Sequence, residues 1–243
     1  MRLGRTLWLA LAAVFVTACA VSDPTPDYRY RLTVEVATPA GVRSSSSVIA
    51  VEQTLVRPGM NPAGQAVERR IRGEAVAVDL PGGRTLFALL RSEENSDWAG
   101  YIMQWLAPDQ PGDSFAEGLD DMLPLEGRGP IAVPRTLEIW RGQPPVSAYP
   151  MLVTFGDPAD PTSVQPVDPD DLAATFGPGV ALRRITVEMT DDAVTRGIEG
   201  RLGWMNTYRD RWFDGSSTIS EDLTTSDIKA HLTAGDFSTE FAR

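Results

Sequence analysis

A chain of 243 residues with 42% hydrophobic content can fill one large domain or two small ones, and it is not a globally disordered polymer. With 33 acidic against 22 basic residues it carries −11 at neutral pH, which disfavours nucleic acid and anionic lipid head groups as partners, because both need a positive surface. One cysteine and one histidine exclude an internal disulfide, a cysteine-ligated metal and a histidine-based metal site.

The amino terminus carries Arg2 and Arg5, then runs apolar from Leu7 to Ala18. That is the pattern of a secretory signal. Twelve residues at about 1.5 Å each fall short of a roughly 30 Å hydrocarbon core. The run ends in Val16-Thr17-Ala18-Cys19, which resembles a bacterial lipobox: an aliphatic residue, two small ones, then cysteine. The resemblance implies diacylglycerol on the Cys19 thiol, cleavage before Cys19 and acylation of the new amine. Two other readings stand beside it. Ala18-Cys19-Ala20 also fits the A-x-A pattern of ordinary signal cleavage, and the cysteine could be a structural one in a helix.

Ala20, rather than aspartate, follows the cysteine, and in enterobacterial lipoproteins that resembles the outer-membrane class facing the periplasm. Residues 19–27 then form a tether rich in proline and aspartate. Without Arg2 and Arg5 the mature chain has 20 basic residues, and its charge becomes −13. Lys229 is the only lysine, so the arginines read as codon usage in a GC-rich genome rather than as a binding patch.

From Tyr28 to Val36 apolar and polar residues alternate, which predicts a half-buried strand. Pro39-Ala40-Gly41 turns the chain, Ser45 to Val56 predicts a second strand, and Ile71 to Leu80 a third. Pro81-Gly82-Gly83 separates EAVAVDL from RTLFALL, a hairpin signature. Trp98, Tyr101, Ile102, Trp105 and Leu106 recur at helical spacing, with Ser96 as N-cap and Pro108 as stop. Their aromatic stripe is read as core packing.

Residues 107–150 are broken by Pro and Gly, with a short helix expected within Asp113 to Leu123 and a short strand from Thr136 to Trp140. Met151 to Phe155 reads as a strand. Asp168-Pro169 reads as the N-cap and first residue of a helix that Gly177-Pro178-Gly179 ends, and Val180 to Met189 as a further strand. Thr190 to Trp212 has apolar residues at helical intervals but also Gly197, Gly200 and Gly203, each costing about 1 kcal/mol against alanine. From Ser216 the sequence predicts a polar tail with one short helix, Ser226 to Thr233. GEAVAVDLPGGRTLFALL and FGPGVALRRITVE are similar to a family of uncharacterised alphaproteobacterial proteins; that resemblance implies no activity.

His231 is the only residue that could serve a Ser-His-Asp or Cys-His arrangement, and it reads as a surface residue near the end of the chain. The acids Glu93-Glu94, Asp120-Asp121, Asp168/Asp170/Asp171 and Asp191-Asp192 are the candidates for glycoside hydrolysis, which needs two carboxyls about 5–9.5 Å apart across a cleft. Asp168, Asp170 and Asp171 could also offer oxygens to calcium, although the EF-hand spacing is missing. Trp204, Tyr208 and Trp212 recur every fourth residue with Arg209 and Arg211 between them, so that a helix there would present a partner surface. No motif implies a cofactor or a metal.

The fold class expected is α+β, a mainly antiparallel sheet of about six strands with two to four short helices. The expected organisation is a signal peptide at 1–18, a tether at 19–27, one envelope domain at 28–215 and a polar tail at 216–243. The function expected is a non-catalytic binding or accessory lipoprotein of the periplasm, engaging an envelope protein or glycan. A carboxylate-dependent glycan hydrolase and an acidic inhibitor of a basic enzyme are the alternatives.

Overall fold

Tyr28–Thr38 alternates between buried and partly exposed residues along its whole length, as the sequence pattern requires, and forms β1. A computed structural model describes residues 26–56, 66–108, 119–139, 142–217 and 227–242. After the turn at 39–40, β2 (Gly41–Val56) pairs back along the full length of β1, and β3 (Ala66–Arg72) pairs with the far end of β2. The hairpin around Pro81-Gly82-Gly83 forms as expected, as β4 (Val76–Asp79) and β5 (Thr85–Ala88).

The single strand expected from Ile71 to Leu80 is instead two. β3 lies in a five-stranded sheet and β4 in a four-stranded one, because the chain leaves β2 at Gly73. Helix α1 (Trp98–Trp105) follows, with Asp97 rather than Ser96 at its N-cap. A turn in which Ser92 and Asn95 side chains accept the amides of Asn95 and Asp97 sets that start.

Four strands, β6 (Ile131–Ala132), β7 (Thr136–Leu137), β8 (Val146–Ser147) and β10 (Val164–Pro166), have two or three residues each, too few for a period to register. β9 (Leu152–Phe155) and β11 (Ala181–Met189) lie where they were expected. Helix α2 (Leu172–Phe176) starts three residues late. Asp171 caps it by accepting the Ala174 amide, while Asp168 caps the preceding turn by accepting Asp170 N–H.

The sheets run β3-β2-β1-β11-β6 and β10-β9-β5-β4, with β7-β8 apart, and every pairing is antiparallel. The fold is therefore α+β and mostly β. No helix among the described residues is long and apolar enough to cross a membrane.

Two clusters of buried side chains place the layers. Tyr30, Leu32 and Val34 of β1, Ile49 of β2 and Ile185 of β11 meet Val76, Val78, Leu86 and Leu152 of the second sheet, with Trp98 and Ile102 of α1 closing one end. Phe87, Leu89, Val153 and Phe155 point the other way and meet Ile198, Leu202, Trp204, Met205, Phe213, Leu232, Phe237 and Phe241. β5 is buried on both faces, which is why RTLFALL reads as a continuous apolar run rather than an alternating one. Residues 227–242, within the stretch read as a polar tail, thus form part of the second cover of the four-stranded sheet. Their described helical content near the expected helix is one 3-10 turn, Ile228–Ala230.

Ser47 faces the first cluster, opposite Leu32, at 1% exposure, and its hydroxyl has no hydrogen-bond partner. An unsatisfied buried hydroxyl costs about 1–3 kcal/mol. Ser47→Ala is therefore expected to raise the urea midpoint with an unchanged slope, and a lowered midpoint would contradict that reading.

A fork between two sheets as the candidate site

The register of β2 with β3 stops at Ala50↔Arg72. Beyond it Gly73 and Glu74 carry the chain into β4, so β2 and β4 diverge from a common point and enclose a fork. Residues 190–201 enter that fork after crossing the outer face of the five-stranded sheet. Thr190 N–H donates to Arg29 O, Arg29 donates to the carbonyls of Asp191 and Asp192, and Arg31 pairs with the Asp192 carboxylate. Thr195 then takes the place that β3 has vacated. Its N–H donates to Val48 O at 3.1 Å, and its Oγ1 accepts Val48 N–H at 2.8 Å.

Glu74 sits at the base of the fork, 8% exposed. Its Oε2 accepts the Ile198 amide at 2.9 Å, so the carboxylate caps the 3-10 turn Ile198–Gly200 from another part of the chain. Burial pushes its pKa up; the amides of Ile198 and Gly197 oppose that shift, and Glu199 and Glu240 add to it. Arg201 grips Asp79 of β4 through two bonds of 2.7 and 3.0 Å, which holds the Asp79 carboxyl below the usual range. Arg196 pairs with Glu240 at 2.6 Å.

Two recesses flank the strap at Thr195 and Arg196. One of about 240 Å³ is lined by Ser45, Ser46, Glu74, Ala77, Thr195 and Arg201 among others. The other, of about 170 Å³, is lined by Arg70, Arg72, Gly73, Arg196 and Thr239 among others. No family model, curated protein or solved structure matches this chain. What the site can do therefore rests on its own geometry. The fork offers hydroxyls, main-chain groups and guanidinium groups already paired with carboxylates.

The five residues read as a partner surface do not share a face. Gly203 to Asp210 is a run of turns rather than a helix, which corrects that expectation, and the glycines that weakened it are the reason. Trp204 is 7% exposed, its ring 5.0 Å from Phe213, and its Nε1 donates to Pro158 O. Tyr208 packs edge-on against both rings and is half-buried. Arg209 is exposed, donates to Glu240 O and lies over the Phe241 ring. Arg211 is exposed, and Trp212 is half-buried in a bridge with Thr233. Trp204 belongs to the core and cannot present itself to a partner.

Four of the acids named above have visible structural duties. Asp168 and Asp171 are caps, Asp170 pairs with Arg135, and Asp192 pairs with Arg31. Asp121 is half-buried, and its pKa is raised by burial and then by the neighbouring Asp120. His231 is not at a loose end of the chain; its carbonyl accepts Arg91 within the C-terminal layer. Among the described residues no group of three or more His, Cys, Asp or Glu could hold a metal ion. Cys19 and residues 113–118 of the expected helix lie outside the described residues.

Sequence reasoning missed Glu74, Thr195 and the serines of β2. One signal was present: Ser44-Ser45-Ser46-Ser47 is an unusual run for the middle of a strand, where β-branched and aromatic residues are preferred.

The raised pKa of Glu74 has a definite sign. A carboxyl that holds its proton more tightly when folded favours the folded state at low pH, and this contribution is lost as pH rises from the ordinary glutamate range through the raised value. Asp236, pushed up by burial in spite of Arg91, behaves the same way; Glu35 and Asp79, both lowered, behave oppositely, and their contribution is lost as pH falls. Glu74→Gln keeps an acceptor for Ile198 N–H and removes the titration. Urea unfolding at mildly acidic and neutral pH is expected to show a smaller decline toward neutral pH in this variant, with Asp236 and Asp121, both raised, contributing to the slope that remains. An unchanged slope would contradict the assignment.

Proposed function

We propose that this chain is an envelope lipoprotein, anchored through Cys19 at the outer membrane facing the periplasm, whose domain is a non-catalytic binding or accessory module. The observation that carries the binding reading is the use to which Glu74 is put. The carboxyl buried beside the larger fork recess is engaged with main-chain amides, and the flanking guanidinium groups are engaged with Glu240 and Asp79. The recess thus presents hydrogen-bonding surface rather than a free acid or an activated nucleophile.

The anchoring reading is carried by Val16-Thr17-Ala18-Cys19 and supported by how the domain begins. Gln53 donates from Nε2 to Pro26 O at 2.9 Å, and its amide donates to the Asp27 carboxylate at 3.0 Å. The chain is held to β2 from Pro26 onward, seven positions after Cys19, and seven residues in any conformation reach at most about 25 Å. Such an attachment keeps the domain close to a bilayer.

Mass spectrometry of the protein purified from its own envelope tests this. A chain starting at Cys19 with added acyl mass is expected. A chain starting after Ala20 would overturn the anchor.

A further inference from the structure

Three arginines from two segments line the smaller recess beside the strap. Arg70 and Arg72 lie two residues apart on β3 and so share a face, the outer one, because Ile71 between them packs against the first core cluster. Arg196 comes from the strap. Thr195 adds a hydroxyl whose oxygen accepts Val48 N–H, so its proton is left to donate. Gly73 and Thr239, bonded to each other through both main-chain groups of the glycine, complete the lining.

Two carboxylates answer these three guanidinium groups. Glu52 pairs with Arg72, and Glu240 pairs with Arg196. Glu52 stands directly across the ladder from Arg70, yet its ion pair goes to Arg72. Arg70 is exposed and has no carboxylate partner among the described residues. A guanidinium has five N–H donors, so an arginine held by one carboxylate keeps donors for a guest. This local surplus of positive charge runs against the chain as a whole, in which 33 acidic residues outnumber 22 basic ones. Nor is it a property of every recess: one of about 400 Å³ sets Asp27, Glu126 and Asp191 against Arg29 alone.

We propose that the recess between Arg70, Arg72 and Arg196 binds a phosphate group, either as the free ion or as a phosphate ester of a sugar. The proposal rests on the reading of the domain as a binding module and names the class of its ligand. Guanidinium groups match oxyanions in geometry as well as charge. A phosphate presents oxygens in three dimensions, which donors from β3 and from the strap can address together, whereas a planar carboxylate presents two. The volume of about 170 Å³ lies below the roughly 300–1,000 Å³ of a drug-sized pocket, which limits the guest to one small group. The net charge of the chain repels extended anionic surfaces, so a single anionic group is the guest that suits it.

The test titrates inorganic phosphate, glucose 6-phosphate and acetate into the full lipidated chain in detergent micelles, at constant ionic strength, and follows the amide resonances. Both phosphates are expected to bind in the millimolar range, with shifts centred on Gly73, Thr195 and Arg196. Acetate should bind roughly tenfold or more weakly. Tighter binding of glucose 6-phosphate supports the recess as a site for a phosphosugar, and tighter binding of inorganic phosphate supports it as a site for the free ion.

Arg70→Gln removes the guanidinium that has no carboxylate partner and should weaken phosphate binding about tenfold, the equivalent of one charged hydrogen bond. Arg43→Gln removes an exposed arginine near the start of β2, outside the recess, and should leave binding unchanged. Glu240→Gln removes the carboxylate that competes for Arg196 and should tighten binding severalfold; it also keeps the question answerable should Arg70→Gln fold poorly. Binding of neither phosphate, acetate bound as tightly as phosphate, shifts confined to other parts of the domain, or equal weakening by Arg43→Gln and Arg70→Gln would each overturn the proposal. The intact mass of the same sample reports the anchor separately: a chain without lipid that binds phosphate overturns the anchor and supports the recess. Release of inorganic phosphate from glucose 6-phosphate would overturn the non-catalytic reading and still support the recess.

Discussion

Replacing Phe237 by alanine is expected to cost about 3–5 kcal/mol, the range for deleting a buried aromatic side chain. Phe237 is fully buried, and its ring lies 5.7 Å from Phe87, Phe155 and Phe213 and 6.1 Å from Trp204. Two of those partners belong to the inner sheet and two to the irregular layer that covers it, so the ring joins the layers. The backbone does the same, since Phe237 O accepts Ala75 N–H at 2.7 Å and Asp236 O accepts Leu90 N–H at 3.0 Å. A domain has about 5–15 kcal/mol in all, so the variant should be only marginally folded at room temperature. Urea unfolding followed by tryptophan fluorescence and by far-ultraviolet dichroism gives the measurement. A loss below about 1 kcal/mol would show that residues 227–242 are not part of the cooperative unit.

That expectation inverts what the sequence suggested for the same residues, and the reason is physical. Periodicity reveals an element only when the chain repeats its geometry. β1 and β11 repeat it over eleven and nine residues, and both were legible. The β4–β5 hairpin was legible because turn chemistry and strand chemistry agreed. The C-terminal layer repeats nothing. Ile198, Leu202, Met205, Phe213, Leu232, Phe237 and Phe241 reach one surface through turns and short 3-10 segments, so their spacing carries no period and the intervening Asp, Ser and Thr read as a tail. Trp204, Tyr208 and Trp212 show the converse, a helical interval without a helix. The candidate site was hidden for a third reason: it is made of main-chain edges, which every residue type possesses. Only the run of small serines in β2 marked it.

Gly73→Val is the second large effect expected, and it bears on both fold and fork. Gly73 has φ +155°, and a Cβ built there would lie 3.0 Å from Ile49 Cγ1, 3.1 Å from Ile49 Cα and 3.3 Å from Val48 O. Two of those three atoms are main chain of β2 and cannot swing aside. The backbone strain is of the order of 1–3 kcal/mol and the crowding adds about 1–3 kcal/mol, which sums to roughly 2–6 kcal/mol. The clash also has a direction. Gly73 is where β3 parts from β2, and its own N–H and C=O are held by Thr239. Added bulk pushes the base of the fork open, away from the Val48 that Thr195 must reach. Glu74, one residue on, would lose its reach to Ile198. Stability and strap should therefore fail together: unfolding free energy falls, and exchange at Thr195 and Ile198 speeds up by more than the global loss accounts for. If Gly73→Val unfolds the chain outright, Gly73→Ala brings only the first methyl and keeps the question answerable. A variant that loses stability while Thr195 and Ile198 stay as protected as the rest of the domain would mean that the strap holds its place without the fork, and that the fork is a packing accident rather than a built groove.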